Sequence, residues 1–214
     1  YEVENDMKVH LLQHLLAQEE GSFLVFSRTK HGTDRLAKKL LSYGVRSVAM
    51  HGDRTQSQRN QALAGFREGR YRVLVATDVA ARGIHVDSVA HVVNFDLPQA
   101  PDDFVHRVGR TGRAGQRGSA STFILRMERG EVKRIERECK VRLERRDVAP
   151  AVLSEIAERS EREAAVLAAR KKEHTEAHPP HAHNRGNGKP KWKGQNAGAR
   201  KTRPRGRVKI AQAG

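Results

Sequence analysis

One cysteine, Cys139, stands in 214 residues. A single thiol excludes an intramolecular disulfide and a Cys-based metal site. No run of apolar residues approaches the roughly 20 that a membrane helix needs, and no signal-peptide pattern is visible in the sequence. Aromatic residues make up only 5% of the chain, with a single Trp. Acid is scarce as well: 25 Asp and Glu face 41 Lys and Arg, for a formal net charge of +16. That imbalance exceeds what solubility alone asks, and nucleic acid is the polyanion it points to. Together these deficits set the expectation of a soluble protein in a reducing, cytoplasmic setting, with no membrane contact. The chain opens on Tyr1 rather than Met, as a piece of a longer protein would.

The charge is uneven. Residues 174–214 hold ten Lys and Arg against one acid, +9 of the +16. Pro, Gly and Asn stand there where a core would need Leu or Val, so this stretch is expected to be a disordered basic tail. Before it, apolar strand-like runs at 23–27, 45–50, 71–77, 89–95 and 119–125 alternate with helical spacing at 5–18, 31–44, 55–69 and 128–140. Thr55 with Gln58 reads as a capping box, and Pro101 followed by two acids suits a helix start. The pattern predicts an α/β fold, a parallel β-sheet flanked by helices, over 1–147. A charged helical extension over 148–173 and the tail over 174–214 follow.

In such sheets ligands sit beyond the carboxyl ends of the strands. Arg28 and Thr29 follow the first strand, His51, Gly52 and Asp53 the second, Thr77 and Asp78 the third. Thr77 can donate to a phosphate oxygen and Asp78 can accept from a sugar hydroxyl; either could equally cap a helix. "HRVGRTGRAGQRG" (106–118) then packs four arginines among four glycines. Arg107, Arg110 and Arg113 recur every third residue, with Gly109, Gly112 and Gly115 letting the backbone bend. That spacing could aim guanidiniums at one polyphosphate, which Arg grips bidentately.

"VATDVAARGI" (75–84) followed by "HRVGRTGRAG" resembles the fifth and sixth motifs of DEAD-box ATP-dependent RNA helicases. "FLVFSRT" resembles their fourth motif, and "QSQR" (56–59) after "HGD" their Gln-x-x-Arg motif. His106 at the head of the sixth motif favours the DEAD-box branch over relatives with Gln there, including DNA helicases. The nearest likeness is to the bacterial group named after RhlE. The resemblance covers about residues 1–145. It implies a RecA-like fold and the second of two such domains, with ATP and Mg²⁺ held mainly by an N-terminal domain absent from this chain. The chain has no G-x-x-x-x-G-K-[ST] loop and no Asp-Glu pair, so alone it is expected to be inactive. By resemblance, Arg110 and Arg113 are arginine fingers on the γ-phosphate, and Asp78 holds the nucleotide ribose. His106 and Arg82 bridge to the first domain's acidic motif. Thr77, Gly52, Gln56 and Arg59 hold the RNA backbone, joined by Arg28 and Thr29. The partners implied are RNA read with little sequence preference, the first RecA-like domain, and ribosome or RNA-degradation assemblies. One position departs from the family: His85 stands where Asp is usual, with Asp87 two residues on.

The tail carries weaker signals. Trp192 lies between Lys191 and Lys193; an aromatic so flanked either stacks on an unpaired base or stays solvated. Four histidines within 174–183 lack the rigid spacing of a structured site, so no metal is assigned. The rival to a half-motor is an ATP-independent RNA-binding or annealing module, which has no use for arginines aimed at a γ-phosphate.

Overall fold

The computed structural model describes residues 1–82, 89–112 and 118–177. Five parallel strands form one sheet: β1 (Phe23–Phe26), β2 (Ser47–Met50), β3 (Val73–Ala76), β4 (His91–Asn94) and β5 (Ser119–Thr122). Their order across the sheet is β2-β3-β1-β4-β5. The helices are α1 (Lys8–Gln18), α2 (Lys30–Ser42), α3 (Gln56–Arg67), α4 (Asp78–Ala81), α5 (Pro101–Val108), α6 (Arg129–Glu138) and α7 (Pro150–Ala177). This is the parallel α/β sheet that the alternating pattern predicts.

Strands β1, β3 and β4 are buried along their whole length, as expected of a parallel sheet covered on both faces. Their side chains alternate between two cores. Phe23, Val25, Val73 and Val75 join Leu11, Leu15, Leu36 and Leu40 on one face. Leu24, Phe26, Leu74 and Ala76 join Met50, Phe66 and Ala80 on the other. Each fully buried Leu or Phe contributes about 1.5–3 kcal/mol, so strands and helices together stabilise the fold through these two cores. A smaller cluster of Leu97, Phe104, Ile124, Val132 and Ile135 packs α5 against α6.

Local signals set the helix ends. The Thr55–Gln58 capping box is present in full at the start of α3. Helix α2 stops at Gly44, whose φ of +78° lies in the left-handed region that glycine tolerates. Gly44 N donates to Leu41 O and Val45 N to Leu40 O, the paired bonds of a Schellman stop. Helix α7 runs to Ala177, past the boundary at 173 that composition suggests. Residues 173–177 contain neither Pro nor Gly, and the first breaker is Pro179. Leu153 of α7 is buried in the core that α1 and α2 share, so the start of the extension is packed rather than projecting.

Chain direction switches between β1 and β4. From β1 the chain goes by α2 to β2 on one side; from β4 it goes by α5 to β5 on the other. The crevice at the carboxyl ends of such a strand pair is where ligands bind in open α/β sheets.

Candidate functional site

Strand β3 delivers Thr77 and Asp78 to the sheet's carboxyl edge. Thr77 holds the cap position of α4, with extended backbone, yet its hydroxyl makes no capping bond. Capping therefore does not explain this threonine. Both oxygens of Asp78 accept from Arg107: Nε to Oδ1 at 2.6 Å and Nη2 to Oδ2 at 2.7 Å. Arg107 Nη1 donates to Asn94 Oδ1 at 3.2 Å and to Asp96 O at 2.7 Å. Its guanidinium lies 5.0 Å from the Phe26 ring centroid, and the residue is only 2% exposed.

The three-residue spacing of Arg107 and Arg110 thus does not mean a shared role. Arg107 lies within α5 on the buried face that carries Phe104, whereas Arg110 follows the helix end at Gly109. Arg107 is an internal brace that holds Asp78, not a phosphate ligand. Asp78 keeps 28% exposure and lone pairs for a further donor.

Arg110 is half-buried, and its backbone is pinned. Its carbonyl accepts from Val89 N, and the neighbouring Thr111 hydroxyl donates to Val89 O at 2.5 Å. Gly112 then turns with φ +67°, a left-handed bend suited to glycine. Arg82 Nη2 donates to Asp103 Oδ1 at 2.6 Å, and His106 stands one turn beyond Asp103 on α5. Arg82, Asp103, His106 and Arg110 line one shallow hollow with Asp78 and Phe26. Arg113, His85 and Asp87 lie outside the described residues, as do Trp192 and the histidine-rich stretch from 178.

A second group gathers at the ends of β1 and β2. Gln56 Oε1 accepts from Arg59 Nη1 at 3.3 Å, and Arg59 Nη2 reaches Ala80 O of α4 at 3.2 Å. The Gln-x-x-Arg pair is therefore tied to the helix that follows Thr77. Gly52 is exposed, a Cβ there would meet nothing within 4 Å, and its φ is not left-handed. Nothing among the described residues demands glycine at that point. Thr29 caps α2 by accepting from Gly32 N at 3.0 Å, so its hydroxyl has a structural task. Arg28 Nη2 donates to Glu128 Oε1 at 3.2 Å.

His51, before Gly52, is 3% exposed. Its Nε2 lies 3.1 Å from Asp34 Oδ2 without hydrogen-bond alignment, so among the described residues neither ring nitrogen has a hydrogen-bond partner. Arg54 Nη2 donates to Asp34 Oδ1 at 2.5 Å. Burial pushes the Asp34 carboxyl up, but the His51 and Arg54 beside it outweigh burial and hold it below the usual carboxylate range.

Sequence reasoning missed Asp96 and Lys8. Asp96 Oδ2 accepts from Arg28 N at 2.9 Å and from Ser27 Oγ at 3.2 Å. Lys8 is 2% exposed, donates to Phe95 O at 3.0 Å and stands 3.5 Å from Asp96 Oδ1. A signal for Asp96 was present: it follows β4 as Asp78 follows β3, and the edge rule that singled out the other strand ends applies to it equally.

An all-parallel five-stranded sheet with these loops at its carboxyl edge fits the RecA-like fold that the motifs imply. The comparisons with known proteins agree. The sequence profile of the helicase conserved C-terminal domain matches residues 7–115. The DEAD-box ATP-dependent RNA helicase CshA of Bacillus cereus is 46% identical over 147 residues, which are 68% of this chain and 28% of that relative. The E. coli DEAD-box protein SrmB, solved bound to regulator of ribonuclease activity A, superposes with a TM-score of 0.65 at 37% identity, covering 69% of this chain and 87% of that one. A DEAD box protein from the hyperthermophile Methanococcus jannaschii gives a TM-score of 0.63 at 42% identity, covering 66% of this chain and 39% of that one. The chain belongs to the helicase C-terminal domain family, on its DEAD-box branch. It spans under a third of the length of the CshA relative. The finer likeness to the RhlE group rests on the motifs alone.

Proposed function

We propose that this chain is the second RecA-like half of an ATP-dependent RNA helicase. It brings Arg110 and Arg113 to the γ-phosphate of an ATP held mainly by a first RecA-like domain, and it grips the RNA backbone from the same edge of the sheet. The observation that carries this reading is the hollow where Arg82, Asp103, His106 and Arg110 meet Asp78. A carboxylate fixed by Arg107 suits a ribose hydroxyl, and nearby guanidiniums suit phosphate oxygens. Both carboxylates of the hollow, Asp78 and Asp103, are already paired with arginine, and among the described residues no group of three His, Cys, Asp or Glu gathers to hold a metal ion. Mg²⁺ is accordingly assigned to the first domain.

Arginine fingers stabilise charge that develops as the phosphoryl group transfers, an effect of about 10³–10⁵ in rate. They act only once the domains close, with His106 and Arg82 meeting the first domain's acidic motif. Thr77, Gly52, Gln56 and Arg59 hold RNA on the adjoining rim, with Arg28 and Thr29 beside them. The Arg59–Ala80 bond ties that rim to the helix carrying Asp78. Closure on one bent strand excludes a duplex, and hydrolysis is thereby coupled to local unwinding. Contacts to the backbone carry no sequence information, so little sequence preference is expected. RNA-degradation or ribosomal assemblies are the larger partners proposed; the SrmB neighbour is bound to a regulator of ribonuclease activity. A cytoplasmic location goes with this reading.

The test is ATP turnover with and without single-stranded RNA, for the chain alone and for the chain joined to a first RecA-like domain. The joined protein should show RNA-stimulated turnover and the chain alone none above background. Robust turnover by the 214-residue chain would overturn the half-motor reading. RNA annealing by the chain alone, with no ATP effect in either form, would favour the binding module.

A further inference from the structure

We infer that Lys8 and Asp96 are positioning residues that couple the nucleotide hollow to the strand-gripping rim, an inference that rests on the half-motor reading. Asp96 stands in the crevice between the carboxyl ends of β1 and β4, where chain direction switches. Four groups converge on it. Its Oδ2 accepts from Arg28 N and Ser27 Oγ on the rim side. Its backbone oxygen accepts from Arg107 Nη1, and Arg107 in turn clamps Asp78 on the nucleotide side. Its Oδ1 faces the ammonium of Lys8. A run of contacts therefore leads from Arg28 through Asp96 and Arg107 to Asp78, each link 2.9 Å or shorter.

Lys8 comes from α1, on which no candidate ligand contact lies. Burying an ammonium is unfavourable unless it is paired and hydrogen-bonded. Lys8 has both forms of compensation, and both lie at the same turn: the carbonyl of Phe95 and the carboxylate of Asp96. The lysine also lies 5.6 Å from the Phe95 ring centroid. Its structural effect is to hold the turn after β4 at one height beside β1. If that turn relaxes, the Arg28 amide and the Arg107 guanidinium lose their acceptors, two different oxygens of Asp96, together. The Asp78 brace and the α5 end that leads to Arg110 then drift relative to the rim.

Lys8→Met and Asp96→Asn test this in the chain joined to a first RecA-like domain. Asp96→Asn keeps size and an acceptor oxygen, so it addresses the charge if Lys8→Met does not fold. We expect RNA-stimulated kcat to fall by about tenfold, as for a small misplacement of catalytic groups. The RNA concentration for half-maximal turnover should rise several-fold, with the ATP KM within about twofold of wild type. The double variant should be no worse than the poorer single variant, because both remove one interaction. A residue with a merely structural role would lower Tm and leave kcat per folded molecule unchanged. Wild-type kcat and RNA dependence in folded Asp96→Asn would therefore overturn the proposal. Arg110→Ala separates the two readings. Retained turnover in that variant removes the finger assignment; lost turnover there, beside wild-type behaviour in Asp96→Asn, removes the coupling alone.

Discussion

Replacing Arg107 with Met should unsettle the fold more than the same change at half-buried Arg110. Met fills much of the volume but leaves Asp78 without its two parallel bonds, and Asn94 and the Asp96 carbonyl without theirs. Breaking a buried ion pair from one side costs about 3–5 kcal/mol. Arg107 is 2% exposed, but Asp78 keeps 28% exposure and can recover water, which places the expected loss near the lower bound, about 3 kcal/mol. For a folded part of this size each kcal/mol shifts Tm by about 2–4 °C, so Tm should fall by roughly 6–12 °C. Arg107→Lys should recover part of the loss, since it keeps the charge but lacks the fork. Urea unfolding and thermal melts, both followed by circular dichroism, measure these values. Combining Arg107→Met with Asp78→Asn should show coupling of about 1–3 kcal/mol in a double-mutant cycle. A loss within about 0.5 kcal/mol, the range of ordinary surface changes, or an absence of coupling to Asp78 would refute the brace.

Gly52→Ala should leave stability unchanged or raised by up to about 1 kcal/mol, through a less flexible unfolded chain. RNA affinity should nonetheless fall by about tenfold if a strand approaches that backbone closely; unchanged anisotropy titrations would remove Gly52 from the RNA contacts. Deleting 174–214 should flatten the plot of log affinity against log salt by roughly 3 to 4 units, if about half of its ten basic residues meet phosphates at about 0.7 each; an unchanged slope would assign the affinity to the sheet edge. His91 supplies a pH test. Burial pushes its imidazole below the ordinary 6.5, against the opposing pull of Glu19. As pH falls through 6.5 the unfolded chain takes up the proton first, so stability should drop there and level off once folded His91 also titrates. Thermal melts of His91→Gln between about pH 7 and 5 should show a flatter dependence than wild type, and an equal slope would exclude His91 as the source.

The strands were legible because their apolar residues are contiguous and bounded by turn signals. Phe23–Phe26 and Val73–Ala76 are apolar at every position, as strands covered on both faces of a parallel sheet are. The Thr55–Gln58 cap was legible because it is local, needing four residues and no partner elsewhere. Arg107 was not, since its identical spacing to Arg110 hides the helix end that falls between them. Nothing along the chain says that its guanidinium turns inward to Asp78, 29 positions away. Lys8 was hidden for the same reason: its partners, Phe95 and Asp96, are nearly ninety residues distant. The rim residues Thr77 and Gly52 stood out by position, and the structure adds that neither capping nor backbone strain accounts for them.

The most direct test of the central claim is the RNA-stimulated ATPase rate of Arg110→Ala and Arg110→Lys in the two-domain protein. The finger assignment predicts a fall of about 10³–10⁵ for Ala. Nucleotide affinity should change far less, because the charge it meets develops in the transition state. Lys should not rescue, since a point charge lacks the guanidinium fork. Near-normal turnover by Arg110→Ala would contradict the account.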